Sequence, residues 1–143
     1  MHILSLAAVV TGGLWGGRTE RFGAAMLLLF RIAFANPRVM WVIGDVYIDS
    51  IIEDTLTALI LGRLAFRSDR WWPFAATTAQ ALTVLVHVFS IVTDISWDAA
   101  LSARVGLGLL LYASLLAGVA ERWLAGETAV SDTVEWRRRR RAP

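Results

Sequence analysis

Five apolar runs, each separated from the next by a short polar turn, set the pattern of this chain. The first, Ile3 to Gly17, has no Lys or Arg before it and no clear small-residue cleavage site, so it reads as a retained span rather than a leader. Within it Ala8, Gly12 and Gly16 recur every fourth position, as do Gly13 and Gly17, a spacing that lets another helix approach closely. Gly16 to Arg21 then reads as a short basic turn. The second run, Phe22 to about Ile43, is interrupted by Arg31 and by Asn36-Pro37-Arg38. Its helix either stops before the proline or continues, kinked, to Trp41.

The third run, Gly44 to Arg63, has the length of a membrane span yet carries Asp45, Asp49, Glu53 and Asp54. On a helix from about Val46 to Phe66 the first three rise along one face, while Asp54 points roughly 100° away from Glu53. Carboxylates in hydrocarbon are costly unless paired, protonated or turned to a wet seam. Neighbouring helices are therefore expected to supply partners, with Arg31 paired to Glu53 or Asp54. Arg67 to Pro73 forms a polar turn whose tryptophans, Trp71 and Trp72, suit a membrane interface and whose proline suits a helix start.

Along the fourth run, Phe74 to about Thr93, the polar residues Gln80, Thr83, His87, Ser90 and Asp94 alternate steps of three and four. That period gathers them into one seam. The seam is expected to meet the carboxylates of the preceding helix. Asp94 to Asp98 makes the next turn, with Ser96 or Asp98 as N-cap. Leu101 to Trp123 is the fifth run, rich in small positions such as Gly106, Gly108, Ser114 and Gly118. Arg137, Arg138, Arg139, Arg140 and Arg141 close the tail.

Composition agrees with this pattern. The 143 residues are 57% hydrophobic, above the ~45–50% of ordinary soluble domains, and mean hydropathy is +0.57. The expected fold is all-α: a polytopic transmembrane helix bundle of about five spans, or four if the first or second is re-entrant, because both are near or below the roughly 20 residues a span needs. Residues 1–124 form the bundle and residues 125–143 an Arg-rich tail. With no cysteine there are no disulfides, thiolate metal sites or cysteine nucleophiles.

Charge placement gives an orientation. If connections alternate sides, Arg18, Arg21, Arg63, Arg67, Arg70, Arg122 and the five terminal arginines share one side, and Arg38 and Arg104 the other. The positive-inside rule then puts the N-terminus outside and the C-terminus in the cytoplasm. Trp15, Trp71, Trp72 and Trp123 mark the basic side and Trp41 and Trp97 the opposite one, as interfacial belts do.

Three chemistries suit the polar seam. Asp49, Glu53, His87, Ser90 and Asp94 can form a proton path, since histidine titrates near neutrality and burial brings carboxylates toward that range. Histidine and carboxylates also suit divalent metals, but one seam histidine without a His pair or E-x-x-H spacing argues against a metal centre. Structurally, the same side chains serve as interhelical hydrogen-bond and ion-pair glue. No cofactor is expected. There is no P-loop, dinucleotide fingerprint or G-x-S-x-G, and a Ser, a His and an Asp along one helix do not make a triad. The arginine tail is a solvated topogenic terminus that can also hold anionic lipid headgroups; with no platform for base readout, no nucleic-acid partner is expected.

The stretches GGRTERFGAAMLLL and RSDRWWPFAATTAQALTVLVH, with the acidic helix between them, resemble a group of small, uncharacterised multi-span membrane proteins of alphaproteobacteria. In that group an Arg-Ser-Asp-Arg-aromatic-aromatic-Pro turn precedes a helix with a Thr-x-x-x-His-like stretch, matched by Arg67 to Pro73 and by Thr83 and His87. The resemblance covers about two thirds of the chain. It implies an inner-membrane location and no activity, and the four carboxylates of the third helix depart from the group's pattern. The expectation is a non-enzymatic integral inner-membrane protein, an accessory or assembly subunit with other membrane subunits or further copies as partners. The alternative is a proton- or ion-conducting protein using the seam between the third and fourth helices.

Overall fold

The computed structural model describes residues 2–34, 42–43 and 46–127. Asp45, Arg38, Trp41 and the terminal arginines Arg137, Arg138, Arg139, Arg140 and Arg141 lie outside the described residues. Within them the chain is all-helical apart from a two-residue antiparallel pair, β1 (Val42–Ile43) and β2 (Val46–Tyr47), with Val42 opposite Tyr47 and Ile43 opposite Val46. Five helices follow in order: α1 (His2–Trp15), α2 (Arg18–Ala33), α3 (Ile48–Ala65), α4 (Trp72–Val92) and α5 (Trp97–Leu124). Contacts run in series, α3 on α4, α4 on α5, α5 on α1 and α1 on α2, and α2 also touches α5 and α3. Four helices, α2 to α5, therefore ring a common interior, with α1 outside against α2 and α5.

The local starts and stops have identifiable causes. Only Gly16 and Gly17 separate α1 from α2, so Thr19, Glu20 and Arg21 are helical rather than part of a turn. Arg21 reaches back to the end of α1, donating from Nε to the Gly16 carbonyl at 3.0 Å and from Nη2 to the Leu14 carbonyl at 3.2 Å. A cation there satisfies carbonyls that the helix leaves unpaired. α4 opens with Pro73 in its first turn, where a missing N–H costs nothing. Of the two candidate caps for α5, Ser96 is the one used, its Oγ accepting from the Ala99 N–H at 3.3 Å.

By length and composition two helices, α4 and α5, rather than all five, are long and apolar enough to cross a membrane. α1 and α2, with 14 and 16 residues, extend only about 21 and 24 Å at about 1.5 Å per residue. α3 has 18 residues but carries Asp49, Glu53, Asp54 and Arg63.

The small-residue stripe of α1 makes the approach its spacing predicts. Ala8 is fully buried in the core with Ala24 and Leu115, and a methyl group on Gly12 would press on Ala24. Gly13 and Gly106, by contrast, face open space. Gly17 does not serve helix packing: the Arg122 guanidinium occupies the place where its side chain would be.

That guanidinium belongs to a buried lock at the end where α1 stops, α2 and α4 start and α5 stops. Glu20 has no exposed surface, and its carboxylate accepts from the Gly17 N–H at 2.9 Å and from the Trp72 indole Nε1–H at 3.0 Å. Arg122 Nη1 lies 3.7 Å from the same carboxylate and 3.5 Å from that of Glu127. Arg70 pairs with Glu127 and Glu121 around it. Trp72, expected at an interface, is instead fully buried, its indole fitted against Gly23 of α2 and Gly118 of α5, where any side chain would collide with it. The neighbouring Trp71 is the exposed one.

Removing one member of a buried pair leaves an uncompensated charge and costs about 3–5 kcal/mol. Both Glu20→Ala and Glu20→Gln remove the counter-charge beside Arg122 and are therefore expected to lower the unfolding midpoint in detergent, followed by tryptophan fluorescence, Glu20→Ala the more because the Gln amide oxygen still accepts from Trp72. Equal losses would show that the charge, not the hydrogen bonding, holds this end together.

Candidate functional site

The polar residues predicted for α4 lie where their period puts them over its first four turns. Gln80, Thr83 and His87 are all buried. Their common partner is Asp54 of α3: Gln80 Nε2 donates to Oδ1, and His87 Nε2 lies 2.8 Å from Oδ2. A carboxylate that accepts both bonds requires the imidazole proton to sit on Nε2. His87 is 1% exposed, and its Nδ1 is buried without a hydrogen-bond partner. Thr83 bonds the Ala79 carbonyl of its own helix, and Ser90 the Val86 carbonyl.

The far end of the predicted seam departs from the pattern. α4 ends at Val92, and Thr93 is extended with φ −137° and ψ 157°. Asp94 therefore leaves the helical period and is exposed. Ser90 is half-buried and outside the cavity wall described next. On α3 the carboxylate that meets α4 is Asp54, the one turned away from the Asp49–Glu53 face. Asp49 is half-buried and takes no part in lining the cavity.

Asp54, Gln80, Thr83 and His87 form one wall of a cavity of about 430 Å³ enclosed by α2, α3, α4 and α5. Thr57 and Glu53 of α3 add to that wall, and Arg31 of α2 lies across from them. Arg31 is within electrostatic range of Glu53. It thus shares a site with both carboxylates expected to pair with it.

α5 supplies what spacing on α3 and α4 did not indicate: Trp97, Leu101, Arg104, Val105, Gly108, Leu111 and Tyr112. Apart from the adjacent pairs Arg104–Val105 and Leu111–Tyr112, these positions advance by three or four, the period of one helical face. That regularity was available in the sequence, hidden because all but Arg104 are apolar, aromatic or small. Tyr47 completes the rim near the start of α3. Every rim residue sits at the end of the bundle opposite the Glu20 lock. Between the two lies an apolar layer that includes Ala24, Leu61, Ala76 and Leu115, all nearly without exposed surface. The cavity is thus one-ended.

Among the described residues, no three His, Cys, Asp or Glu side chains come together in a metal-binding group. The chain matches no protein-family model, no curated protein and no solved structure.

Asp54→Ala deprives Gln80 and His87 of their shared acceptor, and stranding a buried polar group costs about 1–3 kcal/mol. A matching fall in thermal stability in detergent is expected, whereas Asp94→Ala, at an exposed position, is expected to stay within about 0.5 kcal/mol. Comparable effects of the two would remove Asp54 from the packing of α3 on α4.

Proposed function

We propose that this chain is a non-enzymatic integral membrane protein that works as an accessory or assembly subunit of a membrane complex. The observation that carries this is the inverted distribution of polarity. Charged and hydrogen-bonding side chains such as Glu20, Asp54, His87 and Arg122 turn inward, while large apolar ones turn outward on every helix, including Leu29 at 62%, Ile32 at 63% and Val92 at 66% exposure. In α4 and α5 only 28% of the most apolar stretch is buried inside the protein. Water would not tolerate so much apolar surface, but lipid or a neighbouring subunit would cover it. The short α1–α2 hairpin points the same way, since helices that cannot cross the ~30 Å core alone need packed neighbours.

The finer reading is a five-helix bundle in a bacterial inner membrane, with α1 or α2 re-entrant or strongly tilted. Arg18, Arg21, Arg63, Arg67, Arg70 and Arg122 put the lock end on the cytoplasmic side by the positive-inside rule, leaving the cavity open to the other. The resemblance to the alphaproteobacterial group supports that location. The five terminal arginines would meet anionic headgroups on the cytoplasmic face.

A second reading, proton or ion conduction along Glu53, Asp54 and His87, draws on the buried carboxylate–imidazole contact at the cavity wall. The apolar layer beneath the cavity weighs against it for a single copy, because a continuous path would have to cross Leu61, Ala76 and Leu115.

Purification of the tagged protein from its native membrane in a gentle detergent, with sizing and mass spectrometry, tests the first reading. Stoichiometric foreign subunits are expected; a lone monomer or homo-oligomer would sink it. Glu53→Gln separates the two readings. The accessory role expects reduced assembly or expression, and conduction expects a folded protein that has lost flux in liposomes.

A further inference from the structure

The one-ended cavity is lined by two arginines and two carboxylates, but their pairing is uneven. Asp54 is engaged by Gln80 and His87, and Glu53 has the Arg31 charge within range. Arg104 is different. Its Nε donates to the Ala100 carbonyl of its own helix at 3.4 Å, and among the described residues no carboxylate comes within ion-pair distance of its guanidinium. It is half-buried and lies seven residues into α5, about 10 Å along a helix rising about 1.5 Å per residue. A half-buried guanidinium fork that meets no carboxylate among the described residues matches the two oxygens of an oxyanion.

The surroundings of Arg104 constrain what the oxyanion is attached to. Trp97 and Tyr112 supply aromatic surface and Leu101, Val105 and Leu111 apolar surface on the same α5 wall, and Tyr47 adds a further ring at the rim. The volume of about 430 Å³ falls within the ~300–1,000 Å³ of sites that enclose small organic molecules. The unpartnered His87 Nδ1 adds a buried polar point to the adjoining α4 wall.

We infer that the cavity binds an amphiphilic anion, a phosphate or carboxylate group joined to an apolar body, with Arg104 holding the anionic group and the aromatic rim covering the rest. Such a molecule can come from the bilayer, as an anionic lipid, or from solution, as a small organic phosphate. The inference rests on the cavity being a binding chamber and not on the accessory role proposed above.

The full chain in a maltoside detergent provides the test, read as the shift in thermal unfolding midpoint and as quenching of tryptophan emission, to which Trp97 contributes. One arm adds phosphatidylglycerol, with phosphatidylcholine as control; the other adds phenyl phosphate, with inorganic phosphate as control. A saturable upward shift in one arm is expected, showing which source is used, at least tenfold weaker in affinity in Arg104→Gln and partly retained in Arg104→Lys. If Arg104→Gln does not fold, Leu101→Trp, which fills the cavity without touching the charge, is expected to abolish the shift equally. No saturable response in either arm overturns the inference, as does an undiminished response in Arg104→Gln or, failing that variant, in Leu101→Trp. A null result beside an intact complex with foreign subunits leaves the accessory reading standing, and binding by a lone particle does the reverse.

Discussion

Everything at one end of this molecule depends on a carboxylate with no access to solvent. Glu20 cannot be left unsatisfied, because a buried charge without partners costs several kcal/mol. Its partners come from three separate places: the Gly17 backbone, the Trp72 ring and the Arg122 guanidinium. Meeting them fixes how α2, α4 and α5 are gathered. It also explains the glycines there, since Arg122 lies against Gly17 and the Trp72 ring needs both Gly23 and Gly118 to be bare.

The two ends of the bundle solve the same problem differently. At the lock Glu20 accepts from Gly17 and Trp72 and lies beside Arg122, leaving a tight seal. At the other end α3 and α4 share Asp54, yet among the described residues Arg104 meets no carboxylate and His87 Nδ1 has no hydrogen-bond partner. A sealed end without a cavity can only hold the fold. A walled cavity holding a cation that meets no carboxylate is where a ligand gains most, because it supplies bonds that the protein lacks.

How far the sequence foretold this depends on whether the signal was local. The seam of α4 was legible because Gln80, Thr83 and His87 are polar residues at helical spacing in an apolar run. Ser96 was legible as a cap for a similar reason. The Glu20 lock was not. Glu20 sits between Arg18 and Arg21 and reads as part of a basic turn, Trp72 reads as an interfacial anchor beside Trp71, and Arg122 reads as one more topogenic charge. Each assignment is the ordinary one for its residue type. Only the meeting of residues more than fifty positions apart shows that they satisfy one another. Asp94 failed for the opposite reason: the period was extended one step past the point where the backbone turns extended at Thr93.

Burial of Arg122 has a consequence for the proposed orientation. In the folded protein Arg122 and Arg70 are offset by Glu20, Glu121 and Glu127, so the lock end is less positive than a count of arginines suggests. Topology, however, is decided as segments enter the bilayer, when arginines near the ends of the spans count and acidic residues count little. Before α5 meets α2, Arg122 counts toward orientation as a positive charge near the end of its span. The same side chain can thus direct insertion first and become part of a neutral, buried seal afterwards. Under that orientation the sealed end faces the cytoplasm, and the cavity with its unmatched Arg104 faces the opposite side, where any anion it takes must arrive.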